Sequence, residues 1–417
     1  MADVPMRPLD GLRVVEFASF VAGPSAGMTL AQLGAEVIRV DPLGGNSDYR
    51  RWPLAVGSRA ERDQRGTTGA PDGESLYWTS LNRGKKSIAV DVRSPAGREL
   101  VIALATAPGP DAGIFVDNNV GRPWLSHEVL AARRPDLITV HFEGHADGRG
   151  AVDYTVNAEV GVPELTGPPG VDPVNHVLPA WDLIAGQTVT TALLAAVYRR
   201  GRTGDGAQIN IALADVAAAW VANLGWLTEV DQRGDRARHG NYLYGSFGID
   251  VVTADGGRVY VVALTPRQWK NLTETTSTTT VFANLAESLR ADFVTDEGRY
   301  LHREAIAEII RPWFRERSTD QVHQALSAGG VLWGPYQSMG GFTDDFHAHP
   351  SSAPVLVDLE QPGIGPVISA SAPMRFGGEY SGASPAHELG ADTDEILGSV
   401  LGLSAAELGA LRVAGTI

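Results

Sequence analysis

Asp182 interrupts an apolar run in Asn175-His-Val-Leu-Pro-Ala-Trp-Asp-Leu-Ile-Ala-Gly186. Val177 to Ala180 precede it, and Leu183 to Ala185 follow. A helix pattern of small and apolar residues continues from Thr188 through Val197. A carboxylate that opens such a helix meets unpaired N–H groups and the positive end of the helix dipole. Asp is also a favoured helix cap. Two readings stand side by side: Asp182 caps the helix, or it is a carboxylate held partly buried to do chemistry.

The other polar clusters say less. Asn82-Arg-Gly-Lys-Lys-Ser87 is a basic knot before a strand, able to hold a phosphate through Arg83, Lys85 or Lys86, or to be a solvated turn. Gly201-Arg-Thr-Gly-Asp-Gly206 follows a helix and precedes a strand, the reverse of a dinucleotide fingerprint, and reads as a plain turn. The histidines, among them His141, His145, His176 and His239, lack metal-ligand spacing, so no metal site is expected. His145 follows a strand end, where the sites of α/β proteins sit.

The chain has no cysteine, which excludes thiolate nucleophiles, disulfides and Cys-ligated zinc and fits a cytoplasmic protein. Its 34 Lys and Arg against 49 Asp and Glu give a net charge of −15, which argues against general binding of nucleic acid or an anionic membrane. No apolar stretch runs long enough without polar interruption to suggest a membrane span, and no signal peptide is evident at the start.

These side chains need a scaffold, and the first 145 residues alternate strand and helix as a doubly wound α/β domain does. Strands are expected at Leu12–Phe17, Ala35–Val40, Ser87–Val92, Gly113–Val116 and Leu137–Phe142. Ala22-Gly-Pro-Ser-Ala-Gly27 reads as a small-residue turn before a helix from Met28 to Leu33, and Arg98–Ala107 as another helix. Residues 44–73 read as a long loop. After Asp182 a helix runs to about Arg200, then a strand at Gln208–Leu213 and a helix from Ala214 to Val230. Ile249–Thr253 and Arg258–Ala263 flank Gly256-Gly257 as a hairpin, and a mostly helical region follows from Gln268 to Ser327. The expected domains are a large Rossmann-like one from residues 1–215 and 335–417 and a smaller α+β one from 216–334.

Six stretches, in order, resemble the class III CoA-transferase family, which also includes the α-methylacyl-CoA racemases. They are Pro8-Leu-Asp-Gly-Leu-Arg-Val-Val-Glu16 with Ala22-Gly-Pro24, Leu33-Gly-Ala-Glu-Val-Ile-Arg-Val40, Asn82-Arg-Gly-Lys-Lys-Ser-Ile-Ala-Val-Asp91, Asp182-Leu-Ile-Ala-Gly186, Arg202-Thr-Gly-Asp-Gly-Ala-Gln208 and Leu389-Gly-Ala-Asp-Thr-Asp-Glu-Ile-Leu397. Further stretches, such as Asp48-Tyr-Arg-Arg-Trp-Pro53, Val152-Asp-Tyr-Thr-Val-Asn157 and Gly240-Asn-Tyr-Leu-Tyr-Gly245, resemble the branch that moves CoA between the C1 and C4 carboxylates of mesaconate.

The resemblance implies an α/β fold, with a Rossmann-like domain built from both chain ends, a smaller central domain, and an interlocked homodimer. It makes Asp182 the nucleophile, acting through a mixed anhydride and an aspartyl-CoA thioester. The substrate is an acyl-CoA; coenzyme A is part of it, and no resident cofactor is implied. Arg51 is the candidate partner of the substrate's free carboxylate. His145, Asn175 and Tyr242 are candidate oxyanion donors, and Tyr242 and Tyr244 candidate walls of a tight pocket. Ser19, Val21, Arg83, Lys86, Asn118 and Arg122 are the candidate CoA contacts. The racemases' catalytic His precedes the Asp matched by Asp153; here Val152 occupies that position and disfavours racemization. The rivals are an intermolecular transferase using a separate acid, a racemase, and a silent CoA binder in which Asp182 is only a cap.

Overall fold

A computed structural model describes residues 6–55 and 74–417. Of the loop expected over 44–73, residues 56–73 lie outside the described residues. Strands β1 (Arg13–Phe17), β2 (Glu36–Asp41), β3 (Lys86–Ala89), β4 (Ile114–Asp117), β5 (Ile138–Glu143) and β6 (Ala207–Ala212) form one sheet in the order β3-β2-β1-β4-β5-β6. All pair in parallel; Val15 of β1 is level with Ile38 of β2 and Phe115 of β4. β1 and β4 are buried almost throughout, as strands covered on both faces must be, whereas β6 at the edge is partly open over its first four residues and buried only at Ile211 and Ala212. The chain leaves β1 toward one edge and returns through β4 toward the other. The carboxyl ends of β1 and β4 therefore form the switch point where such sheets hold ligands.

Helix α1 (Ala22–Gln32) corrects one expectation: Ala22 to Gly27 is its first half, not a turn. Pro24 is tolerated because first-turn N–H groups have no partner within the helix. The small residues serve close packing. A Cβ on Gly186 would lie 2.1 Å from Ser25 Oγ and 2.9 Å from the Ala22 carbonyl oxygen. One on Gly27 would overlap the Glu16 carboxylate. In chain order follow α2 (Leu76–Leu81), α3 (Pro95–Ala105), α4 (Asp153–Glu159) and α5 (Ala180–Thr203). α5 packs on α1, α4 and β5 and ends at Gly204, whose φ of 77° closes the helix as a left-handed cap. The single helix expected from Ala214 to Val230 is two, α6 (Leu213–Asn223) and α7 (Trp226–Arg233), separated at Gly225 with φ of 78°.

Two compact units emerge. One comprises the described residues up to Gly161 with His176–Gly234 and Pro350–Ile417; the other comprises Val162–Asn175 and Asp235–His349. The divisions fall after 234 and 349 rather than after the expected 215 and 334, because α6 packs on α5 and belongs with it. In the second unit β7 (Phe247–Val252) and β8 (Arg258–Ala263) form the expected hairpin, extended by β9 (Leu332–Pro335). Its core gathers Phe247, Trp269, Phe282, Phe293 and Phe314.

Near the C-terminus, α8 (Thr393–Leu401) and α9 (Ala405–Val413) add Ile396, Leu397 and Leu408 to the core of the large sheet. The closing motif has a structural task there. Asp392 Oδ2 accepts the Ser87 N–H at 2.7 Å, and Thr393 Oγ1 accepts that of Ala89 at 3.1 Å, so the segment is pinned to β3.

Candidate active site

Asp182 is the third residue of α5, and the N-cap position is Pro179, which offers no side-chain acceptor. The cap comes from elsewhere. Asp153, buried at the start of α4, accepts the N–H of Trp181 at 2.7 Å and of Asp182 at 3.0 Å through one oxygen, Oδ2. The Trp181 indole donates to Asn157 Oδ1 at 2.9 Å and locks the two helices together. Asp182 is therefore not the cap of its own helix. Burial and the Asp153 charge push its carboxyl up to about 7, against the pull of Arg51. A carboxylate with this proton affinity is a better nucleophile than an ordinary one and is still about half ionised at neutral pH.

Arg51 lies close enough to oppose that rise. Its guanidinium carbon sits 4.9 Å from the centre of the Tyr77 ring and 5.7 Å from that of Phe20. Aromatic faces on an exposed Arg restrict its rotamers and leave its donors for an anion. Burial pushes the Tyr77 phenol up to about 12, so it stays protonated as a donor. Phe20 has a φ of 68°, rare for a bulky residue and a local strain. Its N–H is held by Asp48 Oδ2 at 2.8 Å. Asp48 in turn faces Arg39, which also forks Asp41 at 2.7 and 2.9 Å. Lys85 completes this buried network, bonding Glu16 at 2.8 and 2.9 Å and the Pro24 carbonyl at 2.8 Å. The basic knot is thus neither of its expected forms at Lys85, which is buried and structural.

Four of the expected CoA contacts gather at the switch point. The Ser19 N–H donates to Asn118 Oδ1 at 3.1 Å, and Asn118 Nδ2 returns a bond to the Ser19 carbonyl at 3.0 Å. Val21 is buried at the head of α1. Arg122 lies 4.7 Å from the centre of the Phe17 ring, and its Nη1 is buried without a hydrogen-bond partner. Arg122, Asn119, Asp117, His127 and His141 line a cavity of about 430 Å³ there. A hydrogen bond from His141 to the Asp117 carboxylate raises the His141 pKa. Arg83 and Lys86 stand apart from this group in their bonding. Arg83 reaches Ser80 and the Ile368 carbonyl, whereas Lys86 bonds Asp392 at 3.2 Å and Glu395 at 3.0 Å.

His145 is buried between Glu159, at 3.3 Å, and Arg149, at 3.4 Å, and has no bond to Asp182. Asn175, Tyr242 and Tyr244 belong to the second unit. There Arg303 lies over Tyr242, and Tyr244 meets His239 and Tyr300, with Arg236 over its ring. Among the described residues, no group of three or more His, Asp or Glu is disposed to hold a metal ion.

Residues 9–393 match the model of CoA-transferase family III. The chain belongs to this family. It is 44% identical to the 2-methylfumaryl-CoA isomerase of Chloroflexus aurantiacus over 98% of this chain and 97% of that one. It is 30% identical to a succinate–glutarate CoA-transferase of Agrobacterium fabrum over 90% of this chain and 93% of that one. Among solved structures, a CAIB/BAIF family protein from Brucella suis aligns with a TM-score of 0.74 at 25% identity, covering 94% of this chain and 99% of that one. A sequence reading of this family III chain misses Asp153, His176, Tyr77 and Asp48. Their partners lie 23 to 29 positions away or act through space, and no local pattern signals such contacts.

Proposed function

We propose that the chain is an intramolecular CoA transferase that moves CoA between the C1 and C4 carboxylates of mesaconate, converting 2-methylfumaryl-CoA to 3-methylfumaryl-CoA. The observation that carries the chemistry is Asp182, released from capping by Asp153 and held with a raised proton affinity. The full-length likeness to a 2-methylfumaryl-CoA isomerase supports the substrate class.

An Asp182 oxygen attacks the thioester carbonyl; the C–S bond breaks, CoA leaves as thiolate, and a mixed anhydride forms. The thiolate attacks the aspartyl carbonyl and expels mesaconate as a dicarboxylate, leaving aspartyl-CoA. The acid turns over, its other carboxylate attacks that thioester, and the two steps run in reverse. Arg51 pairs with the carboxylate not in reaction. His145, Asn175 and Tyr242 are the proposed oxyanion donors, and Tyr242 with Tyr244 keep the acid from leaving.

CoA runs past Ser19 and Val21 toward Asn118 and Arg122. Arg83 is a better phosphate partner than Lys86, whose charge Asp392 and Glu395 already balance. The scheme uses no resident cofactor. We place the protein in the cytoplasm as an interlocked homodimer. An apolar groove along α5, lined by Leu183, Ile184, Thr191, Ala195 and Trp220, offers a seat for the second copy. Light scattering tests that point.

The deciding experiment incubates the protein with mesaconyl-C1-CoA and labelled free mesaconate, with no other acid. Conversion to the C4 thioester without label uptake is expected. Label uptake, or turnover only with added acid, establishes the intermolecular reaction, which the likeness to a succinate–glutarate CoA-transferase keeps as the second reading.

A further inference from the structure

The mechanism above leaves without a part the side chain that accepts the backbone N–H of the nucleophile. Asp153 is buried and splits its two oxygens: Oδ2 takes the N–H groups of Trp181 and Asp182, and Oδ1 lies 2.5 Å from His176 Nε2. The His176 segment is itself held, by Tyr154. The two rings meet edge to face at 5.8 Å, and the Tyr154 hydroxyl donates to the Val177 carbonyl at 3.2 Å. A cap alone would need neither the charge nor the imidazole, because Asn caps a helix about as well as Asp.

We infer that Asp153 and His176 are a positioning pair for the nucleophile: His176 fixes the orientation of Asp153, and the Asp153 charge destabilises the free Asp182 carboxylate relative to its acylated forms. The inference rests on the reading of Asp182 as nucleophile. Two like charges in a partly buried site repel each other. In the mixed anhydride and in the aspartyl thioester Asp182 is neutral, so each acylation relieves that repulsion. The raised proton affinity of Asp182 comes first from burial and then from this same Asp153 charge.

The other groups facing Asp182 are Arg51, which opposes the effect, and the Tyr77 phenol of α2. Around the pair itself stand Tyr154 and the backbone donors already named, among other neighbours. α1 brings Ala22 and Ser25 against α5, and the buried side chains of α6 are Leu213, Val216, Ala217 and Val221, none of them charged.

The test compares Asp153→Asn, His176→Leu and His176→Gln with the parent on mesaconyl-CoA. In Asp153→Asn the amide oxygen keeps both N–H groups and the NH₂ donates to a neutral imidazole, so the fold and KM hold. The expected result is a fall in kcat with the acidic limb of kcat/KM moved to lower pH by about one pH unit. His176→Leu should lose kcat about tenfold without a matching rise in KM, and His176→Gln, which still donates, should recover most of it. A readout free of turnover is carbon-13 NMR of labelled aspartate, with the Asp182 signal assigned by its loss in Asp182→Asn. That carboxyl should titrate at lower pH in Asp153→Asn than in the parent. An unmoved limb with an unmoved titration overturns the inference, as do equal losses in Leu and Gln variants with a lowered Tm. Retained turnover in Asp182→Asn would instead defeat the nucleophile reading, and the titration would still decide what Asp153 does to Asp182.

Discussion

The carboxylate of Asp153 accepts the backbone N–H of Asp182 at 3.0 Å, so one acid caps the helix that presents the other. The arrangement satisfies first-turn donors of α5 without using Asp182, and it sets a negative charge beside a carboxylate that burial already disfavours.

Asp182→Asn should abolish transfer while leaving the fold intact. An amide cannot form the anhydride, so kcat should drop by at least about 10³-fold, the scale of removing a covalent nucleophile. Steady-state assay with mesaconyl-CoA and circular dichroism check the two halves. Activity within tenfold of the parent would return Asp182 to a structural role.

The same substitution should stabilise the protein at alkaline pH. The folded-state pKa of Asp182 is raised to about 7, above its unfolded value, so folding favours the protonated form. The penalty is absent below about pH 4, grows through the interval to 7, and is complete above it. For a partly exposed group it amounts to about 2 kcal/mol once solvent screening is allowed for. Urea melts of parent and Asp182→Asn should coincide at pH 4 and separate at pH 8, with the variant the more stable.

Arg51→Met should raise KM for the C5 dicarboxylyl thioester about 10- to 100-fold, the usual worth of a charged hydrogen bond to a carboxylate. It should also move the acidic limb of kcat/KM to higher pH, because Arg51 pulls the Asp182 pKa down. A monocarboxylyl-CoA of similar size should show no such KM change. An equal loss on both esters would make Arg51 a packing residue held by Tyr77 and Phe20.

The legible part of this protein is the part with local periodicity. The strands of the large sheet stand out because burial on both faces leaves long apolar runs, and the β7–β8 hairpin because Gly256-Gly257 separates two β-rich stretches. Ala22–Gly27 misleads because small residues mark both a turn and a close helix contact, and only the partner Gly186 tells them apart. The break at Gly225 is hidden because one glycine in a helical pattern is often tolerated. At the site, Asp182 is visible from its neighbours. Its tuning is not, since Asp153, Arg51 and Tyr77 are brought to it by three other elements.

Lys85→Met should cost about 3–5 kcal/mol, the price of leaving the buried Glu16 carboxylate without its ammonium partner. Burial draws the Lys85 pKa down to about 8, while Glu16 opposes the shift. A folded pKa below the unfolded value means that the buried ammonium carries a desolvation penalty at lower pH, and the Lys85 titration itself relieves that penalty as pH rises from about 8 toward 10.5. Reduced soluble yield and a lowered Tm in the variant, at an unchanged KM in the folded fraction, are the expected signs. A strong KM effect would instead reassign Lys85 to the substrate.

Retention of the acid is the last property to test, and it falls on Tyr242 and Tyr244. Tyr242 is half-buried against Arg303, and Tyr244 lies between His239 and Tyr300, so both rings are packed by aromatic and cationic neighbours. If these rings confine mesaconate during its turn, Tyr244→Gly removes a wall but no catalytic group, whereas Tyr242→Gly removes a wall and a proposed oxyanion donor together. The anhydride should still form, yet the released dicarboxylate should escape before CoA returns. Labelled free mesaconate should then enter the C4 thioester in the variants and not in the parent, with total turnover in Tyr244→Gly reduced less than about tenfold. Turnover preserved with no label entering would show that confinement resides elsewhere, and Arg51 would become the residue to vary next.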